Sequence, residues 1–228
     1  MDCFYVLWIV FMLSVFFITT ILPMNGQAVS KEPIKTALSK EIDQYLKCVG
    51  GSVGIEYIDL ETGEKYTRNS KKAYVAASTG KLPLAMYIME LADQGKINLN
   101  KRLTYSAAFY VGGSGITQYD RVGTTYTIQT LIHRAMKYSD NIAFSMLRNY
   151  IGRDNYVKYM KKLGAQYSTS GAYQSTSAHD LSLYAQHLYK LSPNSKNMRV
   201  LIGYLKNTIY VKGIPAAVGK QKSLTKSV

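Results

Sequence analysis

Ala77-Ser78-Thr79-Gly80-Lys81-Leu82-Pro83-Leu84 is the stretch that decides how this 228-residue chain folds. From Ser78 onward Leu82, Ala85, Met89 and Ala92 recur along one side of a helix, and Gly95 stops the run. Pro83 falls in the first turn, where backbone N–H groups have no intrahelical partner to lose. Ser78 and Lys81 lie three positions apart, which on a helix places their Cβ atoms on one face about 5–6 Å apart. The Lys81 ammonium then reaches the Ser78 hydroxyl, and it eases deprotonation either as a neutral base or through its field. The start of a helix adds backbone N–H groups that favour negative charge on a carbonyl oxygen under attack. Taken alone, S-x-x-K is equally an ordinary helix start.

On the N-terminal side, residues 33–47 carry Ile34, Leu38, Ile42 and Tyr45 at helical spacing, and Gly50-Gly51 ends that helix. Val53, Ile55 and Tyr57 alternate with Gly54 and Glu56 as a strand does. A turn at Thr62-Gly63 leads to a second strand over residues 65–69, so a hairpin is predicted. On the C-terminal side, residues 103–125 read as a long loop rich in Tyr and Gly. Within it Gly112-Gly113-Ser114-Gly115 reads as flexible connection, because no G-K-[ST] follows to make a phosphate loop. Thr127 caps a helix through Tyr138, a second spans residues 141–150 up to Gly152, and Asp154 caps a third that ends at Gly164. After a polar loop over residues 165–176, Ser177 and Asp180 form a capping-box-like start to a helix through Lys190. Residues 195–207 form the last helix. The sum is an α+β (mixed α/β) plan in which a helical region faces an N-terminal hairpin.

Composition narrows the function. Hydrophobic residues make up 47% and charged residues 18%, which excludes wholesale disorder. Two cysteines, Cys3 and Cys48, cannot build a disulfide framework, and His133, His179 and His187 lie too far apart for a metal-ligand motif. A metalloenzyme is therefore not expected. The formal charge of +14 suits anionic wall polymers or lipid headgroups. Its lysines are scattered in short pairs such as Lys71-Lys72, so nucleic acid is not the expected partner. Residues 4–24 form 21 positions without a charge, long enough to span a bilayer, and Gly26-Gln27-Ala28 offers small residues for a signal peptidase. Residues 1–28 are thus read as a signal peptide or membrane anchor and residues 29–228 as the functional domain of an exported protein. The lysines that follow the apolar run, Lys31, Lys35 and Lys40, run against this on the positive-inside rule, which weakens when a long domain follows.

The second chemical signal is Ser139-Asp140-Asn141 between two helices, 61 positions after Ser78. A serine and an amide at i and i+2 project from a turn into one cleft, although alone the triplet is a helix cap. Together the two motifs resemble the class A beta-lactamase and penicillin-binding serine hydrolase superfamily, whose pattern is S-x-x-K, S-D-N and K-T-G. Tyr138-Ser139-Asp140-Asn141-Ile142-Ala143 looks like the second motif, and residues 77–84 look like the nucleophile helix. The resemblance implies a beta-lactamase/transpeptidase-like two-lobe fold, a helical lobe beside an incomplete antiparallel sheet. It implies Ser78 as the acylated nucleophile, Lys81 as its proton acceptor, Ser139 as the relay to the leaving nitrogen and Asn141 on the substrate amide. Asp140 is expected to hold the turn. The substrate would be a beta-lactam or a D-Ala-D-Ala cell-wall peptide, and the resemblance implies no metal or organic cofactor.

The pattern breaks in three places. The loop glutamate with which class A enzymes activate water has no counterpart, since residues 165–178 hold no carboxylate. Gln166 and Gln174 cannot take a proton at neutral pH, so slow deacylation is expected. For the third motif, Gly213-Ile214-Pro215 is followed by Lys226-Ser227, expected on the substrate, but Val228 takes the place of Gly. By the resemblance, the backbone N–H that completes the oxyanion hole just beyond this motif is expected to be missing, at a cost of about 10²–10³ in rate. Gly80 is expected to cost about 1 kcal/mol inside the nucleophile helix. The alternative, from a different class, is a non-catalytic cell-surface or cell-wall-binding relic, which does not need the Ser78 hydroxyl. A Ser-His-Asp hydrolase with His133 or His179 as base is a further alternative.

Overall fold

The computed structural model describes residues 34–48, 51–168 and 175–211. Among them seven helices follow in order: α1 (Ile34–Cys48), α2 (Lys81–Asp93), α3 (Ile128–Lys137), α4 (Asn141–Ile151), α5 (Arg153–Lys162), α6 (Ala178–Leu191) and α7 (Lys196–Lys206). Six short strands, β1 (Ile55–Ile58), β2 (Lys65–Arg68), β3 (Tyr74–Val75), β4 (Arg102–Thr104), β5 (Thr125–Thr127) and β6 (Ser175–Thr176), pair antiparallel as β1-β2, β3-β6 and β4-β5. The class is α+β, as the sequence pattern predicts.

Helix α2 is the axis of the helical lobe and packs against α3, α4, α5, α6 and α7. A one-sided stripe predicts a surface helix. Instead Leu84, Met86, Ile88 and Met89 are all buried, so α2 is apolar around its circumference because neighbours surround it. Leu131 and Ile132 from α3, Met146 and Leu147 from α4, Tyr156 from α5 and Met198 and Leu201 from α7 close this core. Each such side chain contributes about 1.5–3 kcal/mol by leaving water. The hairpin has a small core of its own, Ile55, Tyr57 and Tyr66, against which Ile42 of α1 packs. Tyr45, placed on the apolar stripe by its spacing, is instead 67% exposed.

The predicted caps hold with one correction. Thr127 accepts from the Thr130 backbone N–H and Ser177 from that of Asp180. Asp154, however, lies in the first turn of α5, whose N-cap is Gly152. On β1 the alternation also fails at Glu56, whose side chain is 1% exposed. The far face of the hairpin is covered by α6, and Glu56 there meets His179 Nδ1 at 3.0 Å and Lys65 Nζ at 2.9 Å. The long connection between α2 and α3 is likewise more ordered than its composition predicts. Its ends zip into β4 and β5, with Leu103 opposite Tyr126. The apolar run at residues 4–24 lies outside the described residues, as do Cys3 and the third-motif region. No helix among the described residues is long and apolar enough to cross a membrane.

Candidate active site

Ser78 does not sit on α2 itself. Ala77–Gly80 form a 3-10 turn that runs into α2 at Lys81. A 3-10 turn eclipses side chains at i and i+3, so it sets Lys81 more directly over Ser78 than an α-helical turn does. Ala77 enters the turn at φ +45°, a left-handed conformation that costs a non-glycine residue about 1–3 kcal/mol. The turn is pinned from behind, where the Thr79 hydroxyl donates to Ala76 O at 2.6 Å and the buried Tyr156 hydroxyl donates to Gly80 O at 2.6 Å. Gly80 therefore carries no helix-interior penalty, because it is the residue before α2 rather than one within it.

Four side chains converge. Lys81 Nζ donates to Ser78 Oγ at 2.8 Å, to Ser139 Oγ at 3.1 Å and to Asn141 Oδ1 at 2.8 Å. Ser139 Oγ in turn donates to Ser78 Oγ at 2.7 Å. Lys81 is 6% exposed. Burial lowers its ammonium from 10.5 to about 8, against a smaller opposing pull from the Asp140 carboxylate. About a tenth of the molecules thus hold a neutral amine against Ser78 at pH 7, and about half at pH 8. The arrangement can move a proton off Ser78 and pass one through Ser139.

Asp140 faces away from this cluster. It is 1% exposed, accepts from the backbone N–H groups of Ile116 and Thr117 at 2.8 Å each, and caps α4 by accepting from Ala143 N. Asn141 opens α4 and spans the cleft, its Nδ2 donating to Gly112 O at 2.9 Å. The connection read as flexible is thus a wall of the site. Arg134 secures it by pairing with Asp120 Oδ2 at 2.5 Å and donating to Thr117 Oγ1 at 3.1 Å. Spacing and composition concealed this, since the only local signal is a single serine between two glycines, Gly113-Ser114-Gly115.

The base of the loop after α5 is anchored by Asp180, wholly buried, which accepts from the backbone N–H groups of Gln166 and Tyr167 at 2.9 Å each. The Gln166 amide points to the Tyr167 hydroxyl, not to Ser78. Gln174, Lys226 and Ser227 lie outside the described residues. Among the described residues no carboxylate hydrogen-bonds Ser78, Lys81 or Ser139. The three imidazoles are also elsewhere: His179 on Glu56, His187 on Glu90 and His133 between Tyr138 and Tyr204. A Ser-His-Asp arrangement is thereby excluded among them. Nor does any group of three or more His, Cys, Asp or Glu side chains there offer a metal site.

Residues 37–226 match the model of the beta-lactamase enzyme family. A beta-lactamase of Rhodobacter capsulatus is 27% identical over 131 residues, a match that covers 58% of this chain but 44% of that protein, less than half its length. Among solved structures, the beta-lactamase of Sphaerobacter thermophilus superposes with a TM-score of 0.74 at 23% identity, over 81% of this chain and 74% of that one. A variant of PBP-A, solved as an acyl-enzyme complex with penicillin G, superposes with a TM-score of 0.76 at 21% identity, over 84% of this chain and 76% of its own. At such identities the superpositions speak to the fold, and the match of the family model over most of the chain supplies the membership: this chain belongs to the beta-lactamase enzyme family.

Proposed function

We propose that this protein is a serine hydrolase that takes an acyl group from a beta-lactam or a D-Ala-D-Ala peptide onto Ser78 and releases it slowly. The observation that carries the reading is the buried Lys81 amine, lowered to about 8, within hydrogen-bond distance of both Ser78 and Ser139. Neutral Lys81 accepts the Ser78 proton as Oγ attacks the carbonyl carbon. The C–N bond then breaks, and the nitrogen takes a proton from Ser139, which Lys81 replaces. Asn141 holds the substrate amide, and Lys226 and Ser227 contact the substrate from the third motif. The PBP-A relative, whose solved complex is an acyl-enzyme with penicillin G, supports the same chemistry here.

Slow release follows from the missing carboxylate in the loop sequence after α5. Residues 165–178 contain no carboxylate, and their glutamines cannot take a proton at neutral pH. Water therefore lacks the partner that would take its proton. The uncharged run at residues 4–24 supports an exported location, by signal peptide or membrane anchor, where both substrate classes are met.

Intact-mass spectrometry of residues 29–228 with a fluorescent penicillin, beside Ser78→Ala, tests the reading. A stoichiometric adduct absent from Ser78→Ala, with a lifetime of minutes or longer, is expected. No adduct on a folded protein refutes acylation, and rapid complete turnover of a chromogenic cephalosporin refutes slow release.

A further inference from the structure

Ser139 presents its hydroxyl to Ser78 from a backbone conformation it does not favour, φ +51°. A non-glycine residue there costs about 1–3 kcal/mol, so neighbouring groups have to hold it. One side chain from outside the motif does so at both ends of the turn. Ser114 Oγ donates to the Ser139 carbonyl oxygen at 2.7 Å and to Asn141 Oδ1 at 3.3 Å, while the Ser114 carbonyl accepts from the Asn141 backbone N–H at 3.1 Å.

The segment that delivers Ser114 is shaped for this contact. Gly115, at φ +109°, lies so close to the turn that a Cβ there would come within 2.5 Å of Asp140 Cα. Gly113, at φ +108°, would place one 3.2 Å from Asn141 Nδ2. Gln118 Nε2 donates to Gly115 O at 2.8 Å and fixes the segment from the other side.

We propose that Ser114 is a positioning residue for the Ser78 reaction, clamping the left-handed Ser139 backbone so that Ser139 Oγ faces Ser78 and Asn141 faces the cleft. This rests on the reading of Ser78 as an acylated nucleophile. Ser114 acts through Ser139 and Asn141, because its hydroxyl is spent on them.

The test compares second-order acylation rates with a fluorescent penicillin for wild type, Ser114→Ala, Ser114→Thr, Ser139→Ala and the Ser114→Ala/Ser139→Ala double variant. Losing the clamp is expected to slow acylation about 10- to 100-fold, the range of one to two hydrogen bonds felt at the reacting atoms. Ser114→Thr keeps the hydroxyl and should recover most of the rate. In the Ser139→Ala background, Ser114→Ala should cost clearly less than in wild type, because the part of its effect that runs through the Ser139 hydroxyl is already gone. Wild-type rates for Ser114→Ala, a threonine variant as slow as the alanine one, or a full additional loss in the double variant would each overturn the proposal. If wild type forms no adduct, the acylation reading fails separately, and a crystal structure of Ser114→Ala decides the clamp. Displacement of Ser139 Oγ from Ser78 supports it, and an unchanged turn overturns it.

Discussion

Replacing Lys81 by Met removes the buried charge while keeping most of the side-chain volume, and the cost of that charge can be read against pH. In the folded chain the ammonium is lowered from 10.5 to about 8, chiefly because it is out of water. Below about pH 8 folded and unfolded chains are both protonated, and the folded state bears the whole burial penalty. Between about 8 and 10.5 the folded lysine has lost its proton and the unfolded one has not. The unfolded state then binds more protons, so wild-type stability rises with pH through this window. A depression of this size corresponds to about 3 kcal/mol, of which about 2–3 kcal/mol should be recovered between pH 7 and 10. Lys81→Met lacks this term, and its lost hydrogen bonds to Ser78, Ser139 and Asn141 add only an offset independent of pH. Urea unfolding of both proteins at pH 7, 8, 9 and 10 measures the difference, in which tyrosines and other shared groups cancel. It should move in favour of wild type by about 2–3 kcal/mol. A flat difference, or one moving the other way, would show that Lys81 is not a depressed lysine, and the proton-acceptor role would fall with it.

The same value sets the acylation profile: the rate at Ser78 should rise with pH to a half-maximum near 8, and a rate flat from pH 6 to 9 would contradict it. Gly115→Ala should destabilise the fold by more than about 2 kcal/mol in urea unfolding, since it combines a left-handed φ with a clash against Asp140; a neutral result would mean the loop does not sit against the turn. Asp140→Ala strands the N–H groups of Ile116, Thr117 and Ala143 and should cost about 2–5 kcal/mol by the same assay. For Glu56, burial pushes the carboxyl up, but hydrogen bonds from Lys65 and His179 outweigh it and hold it below 4.5. Its contribution is therefore present above about pH 4.5 and fades as the pH falls through the lowered value. Glu56→Gln should be about 1–3 kcal/mol less stable than wild type at pH 7, with the gap narrowing as the pH falls below 4.5; a gap that widens on acidification would refute the pairing.

Legibility in the sequence followed the range of the forces involved. Helix starts could be read because a cap is a contact between residues two or three apart, as Thr127 with Thr130 and Ser177 with Asp180 show. The β1-β2 hairpin was visible for the same reason. The burial of α2 on every side was not, because a one-sided stripe says nothing of how many neighbours arrive from elsewhere in the chain. Glu56 was misplaced for a related reason, since its face of the hairpin is covered by α6 from more than a hundred positions away.

At the site the division is sharper. Residue order and type paired S-x-x-K with S-D-N, and the family resemblance that the pair carries put forward Ser78, Lys81, Ser139 and Asn141 as candidates. Whether these groups touch, and what state the amine is in, depended on the packed structure. Lys81 falls to about 8 because the helices around α2 exclude water, and no local pattern encodes that exclusion. Ser114 gained its place in the same way. As a sequence it was a serine in a glycine-rich connection. As a structure it holds the backbone of Ser139, because an ion pair on α3 and a strand ribbon bring that connection down onto the turn.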